Sequence, residues 1–164
     1  MTGPYSHVLL ITGARTWNEE NAMRTTFNTA WRTWGPETVT RPLLVSGHCP
    51  DGADAMAERL WRGAGFEVQG MAADWGTHGR KAGLVRNVQM VELAVSLRQQ
   101  GSRVLCAAFL DLCRKPGCRM SHHQQLAPRV PGHFSHGTVH CRAEALSVGI
   151  ETVDVFPSGL TLTA

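Results

Sequence analysis

Arginine, aspartate and hydroxyl side chains follow several short apolar runs in this sequence, next to glycines. Arg15 and Arg86 could hold a phosphate or a carboxylate through paired N–H donors. Asp54 could accept hydrogen bonds from a ribose hydroxyl, or act as a base or nucleophile. If the protein is an enzyme, Asp54 and Arg86 are the candidates for catalysis. The predicted ligand-binding residues are Gly13, Arg15, Gly47, Gly52, Asp54, Trp75, Arg86, Asn87, Ser135, Gly137 and Thr138.

Each of these signals is weak by itself. A glycine at the end of a strand usually forms a turn. An arginine in a loop is usually a solvated charge, and an aspartate early in a helix is usually a cap. At a helix start, Gly137 and Thr138 could supply backbone amides and a hydroxyl to the same anion. The combination across several loops favours the functional interpretation.

A second group of residues has the chemistry of a metal site. Cys113 and Cys118 are separated by four residues and are followed by His122, His123, His133, His136 and His140. Zinc takes cysteine and histidine ligands tetrahedrally, and such a site could order a loop that has no core of its own. We predict a structural zinc ion held by Cys113 and Cys118, with His133 and His122 as the next ligands. The alternative is two reduced thiols in a basic flexible loop, because the spacing is not that of a standard zinc finger.

Two tryptophans and one cysteine lie where the strands are expected to end. Trp75 and Trp17 fall in loops, where an indole could stack on a base or simply cover the rim of the sheet. Cys49 is near the same loops, and we expect it to be a packed, uncharged thiol. Trp31, Trp34 and Trp61 fall on apolar helical faces and are predicted to be core residues.

Apolar runs predict the elements that position these residues: strands at 7–12, 43–46, 66–72, 104–110 and 152–156. Between these runs, apolar residues recur at helical spacing and predict helices. Asn18 is the expected cap of the first helix, and the helix over about 81–99 should bury Leu84, Val88, Val91 and Val95. This alternation predicts an α/β fold, a Rossmann-like, doubly wound parallel sheet of about five strands in three α/β/α layers. Right-handed crossovers then bring all the strand-to-helix loops to one edge.

The length of 164 residues favours a single domain covering 1–164. One segment does not fit the alternation: residues 111–136 have neither helical nor strand periodicity. We interpret 111–136 as an inserted Cys/His-rich loop, since structureless loops longer than roughly 12–15 residues are uncommon in compact domains unless they have a function.

The composition is that of a globular protein, with 43% apolar and 18% charged residues. The net charge of +3 does not indicate nucleic-acid binding by itself, although the insertion carries the basic residues Arg114, Lys115, Arg119 and Arg129. No apolar run approaches the roughly 18 residues that span a bilayer, and no export signal is evident. The five cysteines, an odd number, are then better explained as thiols or metal ligands than as disulfides. We expect a cytoplasmic protein without a membrane partner.

Four motifs, in this order, resemble the SLOG superfamily of Rossmann-like nucleotide-binding proteins: Gly13-Ala14-Arg15, residues 52–57, residues 79–87 and Ser135-His136-Gly137-Thr138. The chain is most similar to the small stand-alone, YspA-like branch of phages and bacteria. The resemblance covers nearly everything except the insertion. It implies a doubly wound fold and a pocket for a nucleotide or nucleotide sugar, often in a homodimer or higher oligomer. Relatives include the LOG phosphoribohydrolases, the DprA DNA-processing proteins and nucleotide-signal sensor domains.

One departure from that pattern concerns catalysis. The LOG enzymes carry a Gly-Gly-x-Gly-Thr-x-x-Glu motif whose glutamate is catalytic, and here Cys141 stands at the position of that glutamate. Arg86 could match the LOG arginine. Glu144, one helical turn further on, could replace the glutamate only if the helix directs it into the pocket.

Three functions therefore remain open. The first is binding of a nucleotide or nucleotide-derived small molecule. The second is hydrolysis or transfer at an N-glycosidic bond, which needs a carboxylate beside the anomeric carbon, with Asp54 and then Asp74 as candidates. The third, DprA-like nucleic-acid binding through the basic insertion, is less favoured.

Overall fold

A computed structural model describes residues 3–118 and 132–159. In these ranges the chain forms one sheet of five parallel strands, in the order β3-β2-β1-β4-β5. The strands are β1 His7–Gly13, β2 Pro42–Ser46, β3 Glu67–Gly70, β4 Arg103–Phe109 and β5 Glu151–Val155. The helices are α1 Glu20–Trp34, α2 Gly52–Gly63, α3 Trp75–His78, α4 Ala82–Gln99 and α5 His136–Ser147, with short 3-10 turns at Pro36–Thr38 and Gly79–Lys81.

The helices cover both faces of the sheet. Leu9 and Ile11 of β1 pack with residues of α1 and α2. Val8 and Leu10, which point the opposite way along the same strand, pack with residues of α4 and α5. Because β1 is buried on both sides, its sequence is a continuous apolar run. The predicted doubly wound, three-layer α/β fold is confirmed.

The strand order reverses beside β1. After β1 the chain builds the sheet outward through β2 and β3, and then returns to place β4 on the other side of β1. In open α/β sheets, ligands bind outside the carboxyl ends of the strands at such a switch point. The fold therefore directs attention to the loops that follow β1, β2 and β4.

The buried face of α4 differs from the predicted one. Val91 is buried as expected, whereas Leu84 is 45% exposed and the helix buries Met90 and Ala94 instead. Val88 and Val95 are only half-buried. The physical reason is that the first turn of α4 lies at the carboxyl edge of the sheet, where Leu84 lines a cleft rather than the core.

The start of α1 also differs from the prediction. Glu19, not Asn18, occupies the cap position, and its side chain makes no capping hydrogen bond. A carboxylate oxygen of Glu19 accepts a 2.9 Å hydrogen bond from the backbone amide of Ser158 instead. The first turn of α1 is thus connected to the segment after β5.

The insertion is attached to the sheet at both ends. Leu112 and Phe134 form an antiparallel bridge. The Cys113 amide donates to the His133 carbonyl at 2.7 Å, and the Ser135 amide donates to the Asp111 carbonyl at 2.9 Å. Phe134 is buried against the end of β4. The residues adjoining this bridge are therefore held at the carboxyl edge of the sheet.

Within residues 3–118 and 132–159, no helix combines the length and the apolar composition that crossing a lipid bilayer requires.

Candidate functional site

A cleft of about 430 Å³ opens at the carboxyl edge of the sheet, beside the switch point between β1 and β4. Its volume is in the range of sites that hold small molecules, roughly 300–1,000 Å³. All the predicted ligand-binding residues except Gly52 line it. Loops that are distant in the sequence thus meet at one place, as parallel topology requires.

Gly52 lies behind the cleft wall instead of lining it. Its φ of +73° is in the left-handed region, and a Cβ there would lie 2.5 Å from the Cα of Arg15. The next amide, that of Ala53, donates to the carbonyl of Ala14 at 3.1 Å. Gly13 has no room for a side chain either, because a Cβ would collide with that of Ala53. Gly52 therefore lets the start of α2 support the loop that carries Arg15.

Arg86 reaches across the cleft from α4 to the loop after β2. Its Nη1 donates to the carbonyl of Gly47, and its Nε donates to Oδ1 of Asn87 at 3.0 Å. A Cβ on Gly47 would lie 2.6 Å from Nη1 of Arg86 and 2.8 Å from Oδ2 of Asp54. The bare backbone of Gly47 thus provides the space in which the guanidinium and the carboxylate approach each other.

Asp54, in the first turn of α2, is 5% exposed. Its Oδ2 accepts a hydrogen bond from the Cys49 amide at 3.2 Å. Burial raises the pKa of this carboxyl, although the Cys49 hydrogen bonds and the Arg86 charge oppose the shift. Burial, with a smaller effect of Asp54, likewise raises the pKa of the Cys49 thiol, which favours the uncharged form. Asp54 therefore has the environment of a carboxyl that can exchange a proton.

The start of α5 forms the opposite wall, with Ser135, Gly137 and Thr138 lining the cleft. The first amides of a helix have no acceptor within the helix and carry a partial positive charge. Thr138 is 2% exposed, and its Oγ1 has no hydrogen-bond partner among the described residues. A buried hydroxyl without a partner is costly. This wall therefore offers an unsatisfied hydroxyl next to helix amides.

Asn87 connects the two helices that flank the cleft. It is 4% exposed, and its Nδ2 donates to the carbonyl of Gly137 at 3.1 Å and lies 3.2 Å from Nδ1 of His140. Because its Oδ1 accepts from Arg86, one side chain fixes both the guanidinium and the first turn of α5.

The two loop tryptophans have different positions. Trp75 is 55% exposed and lines the cleft, with its ring next to Gly83. Trp17 is 3% exposed and packs edge-on against Phe109, with ring centroids 5.3 Å apart. The idea that Trp17 could offer a surface for a base is therefore wrong: its indole is part of the core.

The charges around the cleft are mainly positive. Four cationic side chains line it, and the described lining residues include one carboxylate, that of Asp54; the cations are Arg15, Arg86, Arg114 and Lys115. Sequence reasoning assigned Arg114 and Lys115 to a separate basic loop. Their position directly after Cys113, close to the end of β4, was the signal that could have placed them at this edge.

Four side chains of the insertion and the start of α5 converge on one point. The Sγ atoms of Cys113 and Cys118 and one ring nitrogen each of His133 and His136 all lie within 4.8 Å of one another. Cys118 Sγ is 3.4 Å from Nε2 of His133 and 3.3 Å from Nε2 of His136, and the two Nε2 atoms are 2.9 Å apart. This Cys2His2 group could hold a metal ion.

Three of the four predicted ligands, Cys113, Cys118 and His133, belong to this group. His136 is the fourth member of the group, while His122 lies outside the described residues. Sequence reasoning named His136 among the histidines that follow the two cysteines, and also in the Ser135–Thr138 motif, but not among the first four ligands. The signal for a ligand was its closeness in sequence to His133, whose ring stacks on that of His136 with centroids 5.0 Å apart. Burial, with the charges of His133 and Lys115, lowers the pKa of His136 and favours the neutral ring that a metal binds.

The other candidate carboxylates do not reach the cleft. Asp74 caps α3 by accepting from the Thr77 amide at 3.0 Å. Glu144 lies 3.6 Å from Nε2 of His140 and does not line the cleft. Cys141, at the position of the LOG glutamate, is fully buried, and burial raises its pKa to about 11. Among the described lining residues, Asp54 is therefore the carboxylate available for chemistry.

A second buried carboxylate, which sequence reasoning missed, supports the loop after β2. Glu58 is 5% exposed and contacts Nδ1 of His48 at 3.0 Å and Nη1 of Arg62 at 3.0 Å. His48 has a φ of 55°, an uncommon conformation for a residue other than glycine. The contact holds this strained loop in place between Gly47 and Cys49, both of which line the cleft.

No protein-family model matches the chain. It is 31% identical over 153 residues to the Gene 61 protein of Mycobacterium phage D29, an alignment that covers 89% of this chain and 94% of that protein. The chain belongs to the family of this phage protein. The name of the relative states a gene number and no activity.

For this member of the Gene 61 protein family, the chemistry has to be derived from the cleft itself. The cleft offers three guanidinium groups, one ammonium group, the amino end of a twelve-residue helix, a buried carboxyl and an exposed indole. Guanidinium groups and helix amides donate hydrogen bonds to an anion, and a carboxylate accepts a hydrogen bond from a hydroxyl. An indole can stack on a flat aromatic ring.

Proposed function

We propose that the cleft binds a nucleotide or a nucleotide-derived small molecule. The observation that carries this proposal is the convergence of Arg15, Arg86 and the start of α5 on one cleft, where the Thr138 hydroxyl has no partner within residues 3–118 and 132–159. A phosphate would satisfy that hydroxyl and the first amides of α5 together. The resemblance to SLOG proteins supports the same class of ligand.

The remaining parts of a nucleotide have matching groups in the cleft. Asp54 would accept a hydrogen bond from a ribose hydroxyl, which a buried carboxylate can do even when one oxygen is already engaged by the Cys49 amide. Trp75, exposed at the rim, would stack on the base. Phosphate, sugar and base would thus lie in sequence from α5 to α3.

Titration calorimetry and thermal shift with nucleoside mono- and diphosphates, ADP-ribose derivatives and cyclic nucleotides test this proposal. Binding should weaken about tenfold or more in Thr138→Val, which keeps the shape and removes the hydroxyl, since hydrogen bonds to charged groups contribute about 1.5–3 kcal/mol. Thr25→Val, at an exposed position of α1, is the matched control and should bind like the wild type. If no nucleotide stabilises the folded protein, the proposal is wrong.

A second candidate is cleavage or transfer at an N-glycosidic bond. Asp54 favours it, because a buried carboxylate that lines the cleft could stabilise an oxocarbenium-like transition state. Chromatography of nucleoside monophosphates incubated with the protein would reveal free base, and Asp54→Asn should abolish its release. If nucleotides bind and no free base is released, the cleft binds nucleotides without cleaving them, and this second candidate is wrong.

We also propose that the Cys2His2 group holds a structural zinc ion. Around tetrahedral zinc, bonds of about 2.0–2.3 Å separate nitrogen and sulfur ligands by roughly 3.3–3.8 Å. The distances of 3.3 and 3.4 Å from Cys118 Sγ to the two histidines are close to this geometry.

Metal analysis of the untagged protein tests the zinc site. We expect about one zinc per chain, lost in Cys118→Ser and retained in Cys49→Ser, whose cysteine lies outside the group. Cobalt substitution should give the absorption of a tetrahedral thiolate site. Absence of stoichiometric zinc, together with no such spectrum after cobalt is added, would contradict the proposal.

A further inference from the structure

The segment Cys113-Arg114-Lys115-Pro116-Gly117-Cys118, here called the knuckle, carries two cations between two metal-binding thiols. Its second half is a tight turn in which the Cys118 amide donates to the Lys115 carbonyl at 3.2 Å. Pro116 and Gly117 occupy the central positions, and Gly117 has the φ of +71° that such a turn requires. The turn directs the chain back so that both cysteines reach the same group.

The knuckle is also part of the cleft. Cys113, Arg114 and Lys115 line it together with His136, the first residue of α5. The Cys2His2 group therefore joins the knuckle to the helix whose amino end is the proposed phosphate site. The Sγ of Cys118 lies 3.3 Å from Nε2 of His136, which shows how directly the two parts meet.

We propose that the knuckle is a second anion-binding subsite, held in place by the metal, and that the ligand is a nucleotide with at least two phosphate groups. This inference rests on the proposed nucleotide-binding function. The first phosphate would lie at the start of α5, and Lys115 and Arg114 would contact the next one.

The charges of the cleft support a ligand with more than one phosphate. Arg15, Arg86 and the amides of α5 are sufficient partners for a single phosphate. Lys115 is exposed and has no ion-pair partner in the described part of the chain. Arg114 lies 3.5 Å from Oδ1 of Asp111, yet its side chain is 66% exposed and can reach a further anion. Without a second anionic group, Lys115 would face the cleft with no carboxylate from the described residues to neutralise it.

The metal determines where these cations lie. Apart from the Cys2His2 group, three contacts attach the knuckle within the described residues: the Cys113 amide donates to the His133 carbonyl, the knuckle has its own internal turn, and Arg114 lies 3.5 Å from Oδ1 of Asp111. Three of the four metal-binding side chains, Cys118, His133 and His136, fix the far end of the knuckle relative to α5. Loss of the metal should therefore release Lys115 from the cleft while leaving Arg86 and Thr138 in position.

Calorimetry on the full zinc-loaded chain, with AMP, ADP, inorganic phosphate and pyrophosphate as probes, tests this inference. Wild-type protein should bind ADP more tightly than AMP, and pyrophosphate more tightly than phosphate. Arg114→Ala/Lys115→Ala should weaken binding of the diphosphate probes about tenfold or more and change binding of AMP and phosphate less than about twofold. Arg80→Ala/Lys81→Ala removes an identical exposed pair outside the cleft and should change neither.

The role of the metal in holding the knuckle is tested with the same probes. Removing zinc with a chelator, or substituting Cys118→Ser, should abolish the preference for diphosphates, and adding zinc back to the chelated wild type should restore it. Circular dichroism establishes that each variant is folded, and Lys115→Gln provides a milder surface variant if the double substitution is not. A preference that survives metal removal contradicts the role of the metal.

The outcomes separate this inference from the proposed function. If neither monophosphates nor diphosphates bind, the proposed function itself is wrong. If AMP or phosphate binds and the second phosphate gives no advantage, only the knuckle subsite is wrong. Equal loss of both classes of probe in Arg114→Ala/Lys115→Ala would also overturn it, because the two cations would then contact the first phosphate.

Discussion

Nδ2 of Asn87 donates a 3.1 Å hydrogen bond to the carbonyl oxygen of Gly137, joining the second turn of α4 to the first turn of α5. The same side chain accepts from Nε of Arg86. Two walls of the cleft, the guanidinium and the helix amides, are thus positioned through one buried amide group.

Asn87→Ala should therefore weaken both stability and ligand binding. The substitution removes the acceptor of Arg86 Nε and a donor to the Gly137 carbonyl, and it empties a site where the side chain is 4% exposed, so we expect the free energy of unfolding to fall by about 1–3 kcal/mol. Urea denaturation and calorimetry with a nucleotide measure the two effects. Asn28→Ala, at an exposed position of α1, is the control. Equal behaviour of the two variants would show that the Asn87 bridge is not needed.

Gly47→Ala should impair binding and leave the fold intact. The new methyl would lie 2.6 Å from Nη1 of Arg86, and the flexible arginine would have to move away from its place in the cleft. We expect nucleotide affinity to fall about tenfold, the loss of one charged hydrogen-bonding group. The control is Gly63→Ala, where an added Cβ would meet no atom of the described residues within 4 Å and the helix should gain about 0.5–1 kcal/mol. If the nucleotide affinity of Gly47→Ala is unchanged, binding does not depend on the observed position of the Arg86 guanidinium.

Asp54 should make stability depend on pH. Burial raises its pKa above the ordinary 3.8, so the folded chain binds more protons than the unfolded chain between 3.8 and the folded pKa. Stability due to this group therefore falls as the pH rises through that interval, and the loss is complete above it.

Asp54→Asn removes the charge and keeps an acceptor for the Cys49 amide. At neutral pH we expect its free energy of unfolding to exceed that of the wild type, with the difference disappearing below pH 3.8. Urea midpoints measured from acid to neutral pH provide the comparison, with Glu92→Gln as an exposed control. A variant that is less stable than the wild type at neutral pH would contradict the assignment.

Trp75→Ala should weaken binding of nucleotides and leave binding of inorganic phosphate unchanged. Stacking of a base on an aromatic ring contributes about 1–3 kcal/mol, which corresponds to roughly a 5- to 150-fold change in Kd. Trp75→Phe should retain much of the affinity. Because the indole is 55% exposed, stability should change by less than about 0.5 kcal/mol. An equal loss for phosphate and nucleotide would mean that Trp75 supports the loop and does not contact the base.

The fold could be predicted because buried parallel strands leave a clear pattern. Residues 8–11 are apolar without alternation, as expected of a strand that is covered on both faces. The position of the cleft followed from the same topology, since every strand-to-helix loop of such a sheet lies at one edge. Whether the gathered residues bind a nucleotide stays a prediction.

What could not be predicted depends on distances between elements. Gly52 and Gly47 look alike in the sequence, yet one faces the backbone of Arg15 and the other faces the Arg86 guanidinium. Leu84 belongs to an apolar helical pattern but lines the cleft, because the helix extends beyond the sheet. His136 joins the Cys2His2 group because the bridge between Leu112 and Phe134 brings its chain segment back to Cys113.

That bridge has a practical consequence. Leu112 and Phe134 are neighbours in space although 21 residues separate them in the chain, so their pairing fixes the exit and return of the polypeptide at a single site. Changes in the length of the insertion need not disturb the sheet, because both ends of the insertion are already anchored. We expect Gene 61-type proteins to differ most in size at this site, and a reporter peptide grafted between Cys118 and His133 to be carried without unfolding the domain.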